Sequence, residues 1–330
     1  MSTGAPIPAI DVRGLRIALI GYGEVGGIFA RALRERGVAA LATYDRLFDD
    51  PARRDAVLAR ARADGVVPAA DSPVAVRDAD LVLCAVTADQ TLAAATAAAR
   101  GLRAGTPFID FNSASPRTKI GCAAIVDAAG GRYVEAAVMT SVPPHGIGVP
   151  VLWGGPHAAA VAPLLAALGF RGEIAAEALG TASAIKMCRS VIVKGLEGIV
   201  IESFATARRY GVEREVLASL AETFPGLDWE RNGSYFFRRV AQHGRRRAEE
   251  MREAAATVRE AGLEPVMAAA IAERHAFVAD LAERGAFAAV DRDAADWREL
   301  ADAIERATAP DDASGTLAAP AAARTRTASS

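Results

Sequence analysis

The apolar positions change their period once along the chain. From Arg13 onward, "LRIALIG", "VAALATYD", "ADLVLCAV" and "TPFIDFN" are short apolar runs bounded by turn residues, the pattern of buried strands. The stretches between them are rich in Ala and Arg and read as helices. One of them, "VGGIFARALRERG", carries helical periodicity and stops at Gly37. "GRYVEAAVM" and "VPVLWGG" predict two further strands, placed at the sheet's edge. Strands that alternate with helices pair in parallel, so this half predicts a doubly wound, mostly parallel sheet. The alternation fades near Gly172, and beyond it the pattern is nearly all helical. "TASAIKMCRSVIVKGLEGIVIESFATARRYG" predicts a single helix of about 30 residues, about 45 Å long. "REVLASLAETF", "FRRVAQHGRRRAEEMREAAATVREAG" and "PVMAAAIAERHAFVADLAERG" predict three more. The expected organisation is an α/β domain over residues 13–175, then an all-α domain over residues 176–305. The flanks, residues 1–12 and 306–330, have few large apolar residues and no period, and are expected to be flexible tails.

Composition narrows the function classes. With 330 residues, 52% of them apolar, the chain has material for two domains and a substantial core. A formal net charge of −2 provides no basic field to hold nucleic acid. The start, "MSTGAPIPAIDVRG", lacks the charged-then-apolar pattern of a secretory signal. The longest apolar runs are alanine-rich and broken by Arg, Asp or Gly, so no membrane span is expected. Cys84, Cys122 and Cys188 are scattered without CxxC spacing, and the four histidines lack zinc-ligand spacing. The expectation is a cytoplasmic protein with reduced thiols, no metal site, and no nucleic-acid or membrane partner.

Chemistry enters at "ALIGYGEVGG". Gly21, Gly23 and Gly26 have G-x-G-x-x-G spacing, after a predicted strand and at the head of a predicted helix. The first glycine allows the tight turn, the second lets backbone approach a pyrophosphate, and the third lets helix pack on strand. The helix then turns its positive end toward the phosphates. Gly21 to Gly26, with Tyr22, Glu24 and Val25 between the glycines, is the expected dinucleotide cradle of a Rossmann domain. Asp45 ends the second strand, 24 residues after Gly21. A carboxylate there accepts from the adenosine ribose hydroxyls and repels a 2′-phosphate, which favours NAD over NADP. Arg46 follows directly, and Arg53 and Arg54 are near, so NADP stays open. Val86 and Thr87, at the end of the "ADLVLCAV" strand, are further expected cofactor contacts.

Of 38 basic residues only three are lysine, and two of those, Lys186 and Lys194, stand in "SAIKMCRSVIVKG". A solvated surface accepts either cation. A proton-transfer position does not accept arginine, because guanidinium keeps its proton at any working pH. Ala184, Ile185, Met187 and Cys188 give Lys186 an apolar setting, and desolvation lowers a lysine pKa toward the range a general acid–base needs. A lysine whose stem runs along a core helix is the competing reading. At about 100° per residue, Lys186 and Ser190 share a helix face and Arg189 lies about 60° off it, whereas Lys194 lies about 80° from Lys186.

These segments, in order over about residues 15–290, resemble the β-hydroxyacid dehydrogenase family, which includes 3-hydroxyisobutyrate and 6-phosphogluconate dehydrogenases. "GYGEVG" resembles its nucleotide loop, "DFNSASP" its D-x-S-T-x-x-P segment, and "VEAAVMTSV" its substrate loop D-A-P-V-S-G-G. "GTASAIKMCRS" is similar to the start of its catalytic helix, with the family's lysine falling on Lys186. "HGRRRAEEMREAA" and "GLEPVM" are similar to a less characterised branch with a phosphogluconate-dehydrogenase-like C-terminal domain. The resemblance implies hydride transfer between a nicotinamide cofactor and a small hydroxy acid or related alcohol. Lys186 would be the catalytic acid–base, and Asn112 would lie on the nicotinamide ribose side. It implies substrate contacts from Ser113, Met139, Thr140, Ser141, Arg189, Ser190 and, on a later helix, His243, with a carboxylate as the expected substrate group. The long helix implies a homodimer.

Four departures from the family pattern bear on substrate. Glu135 stands where the family has aspartate, and Met139, Thr140 and Ser141 stand where it has Ser-Gly-Gly. Arg189 and Ser190 replace the His-Asn pair of phosphogluconate dehydrogenases, and Val193 replaces their acidic residue. The resemblance therefore points away from phosphogluconate and leaves the substrate unnamed. Reduction of a C=N bond, as in imine reductases, and a non-catalytic binding module are the alternatives, and Lys186 argues against both.

Overall fold

The computed structural model describes residues 10–309. The first nine residues of the expected N-terminal tail, and residues 310–330 of the expected C-terminal tail, lie outside the described residues, and residues 306–308, expected in that tail, are helical instead. In chain order the elements are β1 (Arg16–Ile20), α1 (Glu24–Glu35), β2 (Ala40–Tyr44), α2 (Arg54–Ala63), β3 (Val67–Pro68), α3 (Ser72–Val76), β4 (Leu81–Cys84), α4 (Thr91–Ala99), β5 (Pro107–Asp110), α5 (Pro116–Ala128), β6 (Arg132–Val138), β7 (Pro150–Gly154), α6 (Ala158–Ala167) and β8 (Arg171–Ala176). Five helices follow: α7 (Thr181–Tyr210), α8 (Glu213–Thr223), α9 (Trp229–Glu260), α10 (Val266–Glu283) and α11 (Trp297–Thr308). The described chain forms two compact units, residues 10–191 with 252–266, and residues 192–251 with 267–309. Their boundaries fall inside α7, α9 and α10.

The first unit is built on one eight-stranded sheet in the order β3-β2-β1-β4-β5-β6-β7-β8. Every neighbouring pair is parallel except β6 with β7. Both faces of the central strands are covered, which explains their unbroken apolar runs. Along β1, Ile17 and Leu19 join the core on one face with Phe29, Leu33, Phe111 and Trp153. Ala18 and Ile20 join the core on the other face with Phe108, Val126 and Tyr133. In α1, Gly26, Phe29, Ala30 and Leu33 are buried, a stripe at helical spacing that seats the helix on the sheet. Chain order reverses direction between β1 and β4, and a doubly wound sheet binds its ligand at the carboxyl ends of the strands flanking such a switch.

Two strand expectations are corrected. β6 and β7 are interior strands, and the edges are β3 and β8. β8 gave no apolar signal because Arg171, Gly172, Glu173 and Ile174 are exposed, and β3 is only two residues long. The 30-residue helix expected from Thr181 is present as α7. The helix expected from "FRRV" begins earlier, at Trp229, and is broken at His243, whose backbone (φ −130°, ψ 17°) is not helical. A further helix, α11, follows the last one expected. It is set by a capping box in which Asp296 accepts from the amides of Arg298 and Glu299, while Glu299 accepts from the Asp296 amide.

The second unit packs Phe204, Trp229, Phe237, Leu281, Trp297 and Leu300 into its own core. Beside this apolar set lie buried charges. Arg247 donates through Nε to Glu197 Oε2 at 2.6 Å and through a second nitrogen to Oε1. Lys194 pairs with Glu250 at 3.1 Å. His275 is fully buried next to them, with its Nε2 3.8 Å from Glu197 Oε2. Burial, then the charges of Arg247 and Lys194, hold its pKa down to about 3 against the weaker upward pull of the Arg247 backbone and of Glu250. Unfolded, it titrates near its ordinary value of about 6.5. The folded state therefore binds fewer protons, so the stability this group contributes is complete above about pH 6.5 and is lost as pH falls toward 3. The expected result is a urea midpoint that declines from about pH 6.5 downward, with a flatter decline in His275→Phe, measured by fluorescence across that range.

Candidate active site

The glycine loop leaves β1 at its carboxyl end. Gly21 donates its amide to Tyr44 O at 2.9 Å and has φ +93°, and a Cβ on it would lie 2.3 Å from Ala85 O. A Cβ on Gly26 would lie 2.3 Å from Gly21 O. These two glycines are required by the fold. Gly23 is not: its φ is −77°, it is exposed, and nothing lies within 4 Å of the place where a Cβ would sit. Open space at the head of α1, kept free of any side chain, fits a dinucleotide whose phosphates approach backbone. A cleft of about 270 Å³ lined by Gly23, Glu24, Gly27, Ile28, Arg31 and Arg60 opens beside it. The contrast sets a test. Gly21→Ala should cost about 1–3 kcal/mol of stability. Gly23→Ala should stay within about 0.5 kcal/mol of wild type in stability yet weaken cofactor binding by about tenfold or more, measured by urea denaturation and calorimetric titration.

Asp45 follows β2 and ties it to this loop. Its Oδ2 accepts from the Tyr22 amide at 2.6 Å and its Oδ1 from the Leu47 amide at 2.8 Å. Each oxygen keeps a second lone pair with which to accept a hydroxyl. The Tyr22 ring is buried, its hydroxyl donates to Asp64 at 2.7 Å, and burial followed by that carboxylate pushes its pKa far up. Arg60 stacks over the Tyr22 ring and donates to the Tyr22 carbonyl. Arg46 is exposed, and Val25 is half-buried at the start of α1.

Past β4 and β5 the chain makes a second tie. The Val86 amide donates to Asn112 Oδ1 at 2.6 Å, and Asn112 Nδ2 donates to Cys84 Sγ at 3.4 Å. Thr87 follows, exposed. Asp110, the last residue of β5, accepts from the Asn112 amide at 2.9 Å and from Tyr133 Oη at 2.7 Å. Lys119 Nζ is buried against the same residue, 3.0 Å from Asp110 Oδ1 and donating to its carbonyl at 2.9 Å. Ser113, the residue after Asn112, accepts a hydrogen bond from Lys186 Nζ at 2.6 Å. α5 begins just beyond, with Ser115 accepting from the Thr118 amide and Pro116 as first helical residue.

The structure thus joins Lys186 to Ser113, Asn112 to Val86, and Asp45 to Tyr22, all at the carboxyl ends of the strands. Ser190, one turn after Lys186, is buried, while Arg189 is exposed. Met139, Thr140 and Ser141 leave β6, with the Met139 amide donating to Pro150 O at 2.9 Å. His243 belongs to the second unit, at the break in α9. Sequence reasoning missed Lys119 and Glu135 as parts of this site. The scarcity of lysine pointed to Lys119 as much as to Lys186, and its partner Asp110 is nine residues away. Glu135 was visible only as a departure from a pattern.

Comparison with known proteins adds two family matches. Residues 16–176 match the NAD-binding domain of 6-phosphogluconate dehydrogenase, and residues 207–278 match a domain of unknown function, DUF1932. A conserved hypothetical protein from Sinorhizobium meliloti is 40% identical, with TM-score 0.67, covering 90% of this chain and 98% of its own. MTH1747, a conserved protein of unknown function with structural similarity to 3-hydroxyacid dehydrogenases, is 31% identical, with TM-score 0.62, covering 82% of this chain and 98% of its own. An uncharacterized 28.5 kDa protein in the 7S RNA 5′ region of Methanothermus fervidus is 29% identical over 164 residues, which are 48% of this chain. The chain spans 61% of the length of that curated relative.

Proposed function

We propose, from the premise that this chain belongs to the β-hydroxyacid dehydrogenase family and carries its nicotinamide-cofactor domain, that it moves a hydride between that cofactor and the carbinol carbon of a small hydroxy acid or related alcohol. The observation that carries this reading is the 2.6 Å contact between Lys186 Nζ and Ser113 Oγ, next to the Asn112 tie. When bound, the cofactor supplies a ring that exchanges hydride with carbon. In the oxidising direction Lys186 Nζ accepts the substrate hydroxyl proton, and in the reducing direction it returns that proton to the carbonyl oxygen. Ser113 orients the amine and takes part in holding the reacting oxygen. Ser190 extends the same helix face by one turn. The glycine loop would hold the phosphates through backbone at Gly21 to Gly26, and Asn112, which accepts from the Val86 amide, would lie on the nicotinamide ribose side.

NAD is the proposed cofactor, supported by the Asp45 carboxylate at the end of β2. Calorimetric titration with NADH and NADPH, run separately, tests this. Tight NADH with weak NADPH supports the Asp45 role and leads to a screen of 3-hydroxy acids. Preference for NADPH overturns it, and imine substrates then enter the screen. Binding of neither overturns the enzymatic reading.

A homodimer through α7 is proposed on a different ground. Ile185, Ile192 and Ile199 recur every seventh residue along this helix, 45%, 66% and 49% exposed. Three isoleucines in one stripe are a contact face of the kind helices bury against a second copy. Light scattering of the full chain is expected to give twice the chain mass of 34.3 kDa, and Ile192→Glu is expected to give the single mass.

A further inference from the structure

We propose that Glu135 is a positioning residue for Lys186: its buried carboxylate, reaching from β6, holds the first turn of α7 and so sets where the lysine amine meets Ser113. This rests on the reading of Lys186 as the proton-transfer group.

The first turn of any helix has amides with no partner inside the helix. At the head of α7, two amides donate to one side chain from a distant strand: that of Gly180, just before the helix, to Glu135 Oε2 at 2.9 Å and that of Ser183, in its first turn, to Glu135 Oε1 at 2.5 Å. The Ser183 hydroxyl is turned to the Gly180 carbonyl, at 3.1 Å. Charge-assisted bonds to a carboxylate are the stronger kind, and a negative charge at a helix head is favourable. Lys186 stands three residues past Ser183, less than one turn onward, so the group that fixes Ser183 fixes the base of the lysine too.

The sheet side shows that room was made for this carboxylate. Glu135 is fully buried, and in register it faces Asp110 of β5 on one side and Gly154 of β7 on the other. A Cβ on Gly154 would come within 2.8 Å of Glu135 Oε2 and 3.3 Å of the Ala182 Cβ. A side chain at 154 and a carboxylate at the head of α7 exclude each other. The other neighbour in that row, Asp110, accepts from the amide of Asn112, the residue before Ser113. Two buried carboxylates side by side thus anchor the two partners of one hydrogen bond, Glu135 on the lysine side and Asp110 on the serine side. The glutamate that departs from the family pattern supplies the reach, and an aspartate there stops one methylene short of those amides.

The chain's three lysines make the test clean. Lysine labelled with ¹³C at Cε gives three signals, from Lys119, Lys186 and Lys194, assigned with single Lys→Arg variants of the full chain. Ser113→Ala shows how the Lys186 signal responds to loss of its partner. The expected result is that Glu135→Asp moves the Lys186 signal in the same direction and leaves those of Lys119 and Lys194 in place. In the same variant kcat falls by about 10²-fold, the cost of an ångström-scale misplacement, with cofactor affinity unchanged. Glu135→Gln keeps the reach but turns an NH₂ group toward an amide, and is expected to act alike. If Glu135→Gln does not fold, Glu135→Asp alone decides. A Lys186 signal that stays in place in folded Glu135→Asp overturns the proposal. So does a joint shift of all three signals, which reports general loosening. The spectrum needs no substrate. A Lys186 signal that follows Glu135 in a protein without dehydrogenase activity leaves the positioning role standing and removes the functional reading. An active enzyme whose Lys186 ignores Glu135 does the reverse.

Discussion

With Lys186 replaced by methionine, turnover of a small hydroxy acid falls by about 10²–10⁴-fold, the range that a positioned acid–base contributes. Affinity for the nicotinamide cofactor stays within about twofold, less than 0.5 kcal/mol. The two effects separate because the lysine's contact is with Ser113, whereas the cofactor loop is tied through Asp45 and Tyr22. Lys186→Arg is expected to be nearly as slow as Lys186→Met. Guanidinium keeps the charge and the length but does not release a proton at working pH. This is the sharper variant, because a lysine serving only as a buried charge or an apolar stem would tolerate arginine, and 35 of the chain's 38 basic residues are arginine. Ser113→Ala removes one hydrogen bond and leaves the amine, so its loss is smaller, about tenfold. Steady-state rates on a panel of 3-hydroxy acids, with calorimetry for the cofactor, check all three. A Lys186→Met enzyme as fast as wild type removes the mechanism.

What could be read from the sequence follows a physical line. β4, and β1 from Ile17 onward, are covered on both faces, so those residues are all apolar and the runs stand out. β8 is an exposed edge of Arg, Gly and Glu with no such constraint, and pattern alone could not reveal that it pairs with β7 and moves β6 and β7 inward. The glycine loop was legible because its logic is local: Gly21, Gly23 and Gly26 act within six residues. Lys186 stood out as a candidate through an accident of composition, the near absence of lysine. Its partner Ser113 is 73 residues away and was reached only through the family resemblance. Glu135 needed the fold itself, since its role depends on β6 meeting the head of α7, 45 to 48 residues later in the chain. Lys194, which shared the suspicion with Lys186, is paired with Glu250 in the second unit.

Replacement of Arg247 by methionine should destabilise the chain by about 3–5 kcal/mol, because it leaves the buried Glu197 carboxylate without its two-pronged partner, with only the weaker pull of Lys194 and Arg239 remaining. The cost lies in the charge left behind. The double variant Glu197→Leu with Arg247→Met is therefore expected to recover most of the loss, as apolar replacement of a whole buried pair often does. The pH dependence separates this from simple loss of packing. Burial already pushes the Glu197 carboxyl above its ordinary value, against the pull of Arg247. Removing Arg247 removes that pull, so the folded pKa rises further. A raised folded pKa gives stability that is present below the unfolded value, near 4.5, and is lost as pH rises through the folded one. His275 acts in the same sense, because Arg247 is the largest charge holding its pKa down. The single variant is thus expected to lie closest to wild type near pH 4.5 and furthest from it at neutral pH, and a pure cavity would give the same gap at both. Urea denaturation of wild type, single and double variants at the two pH values measures it, and a gap independent of pH would assign the loss to packing.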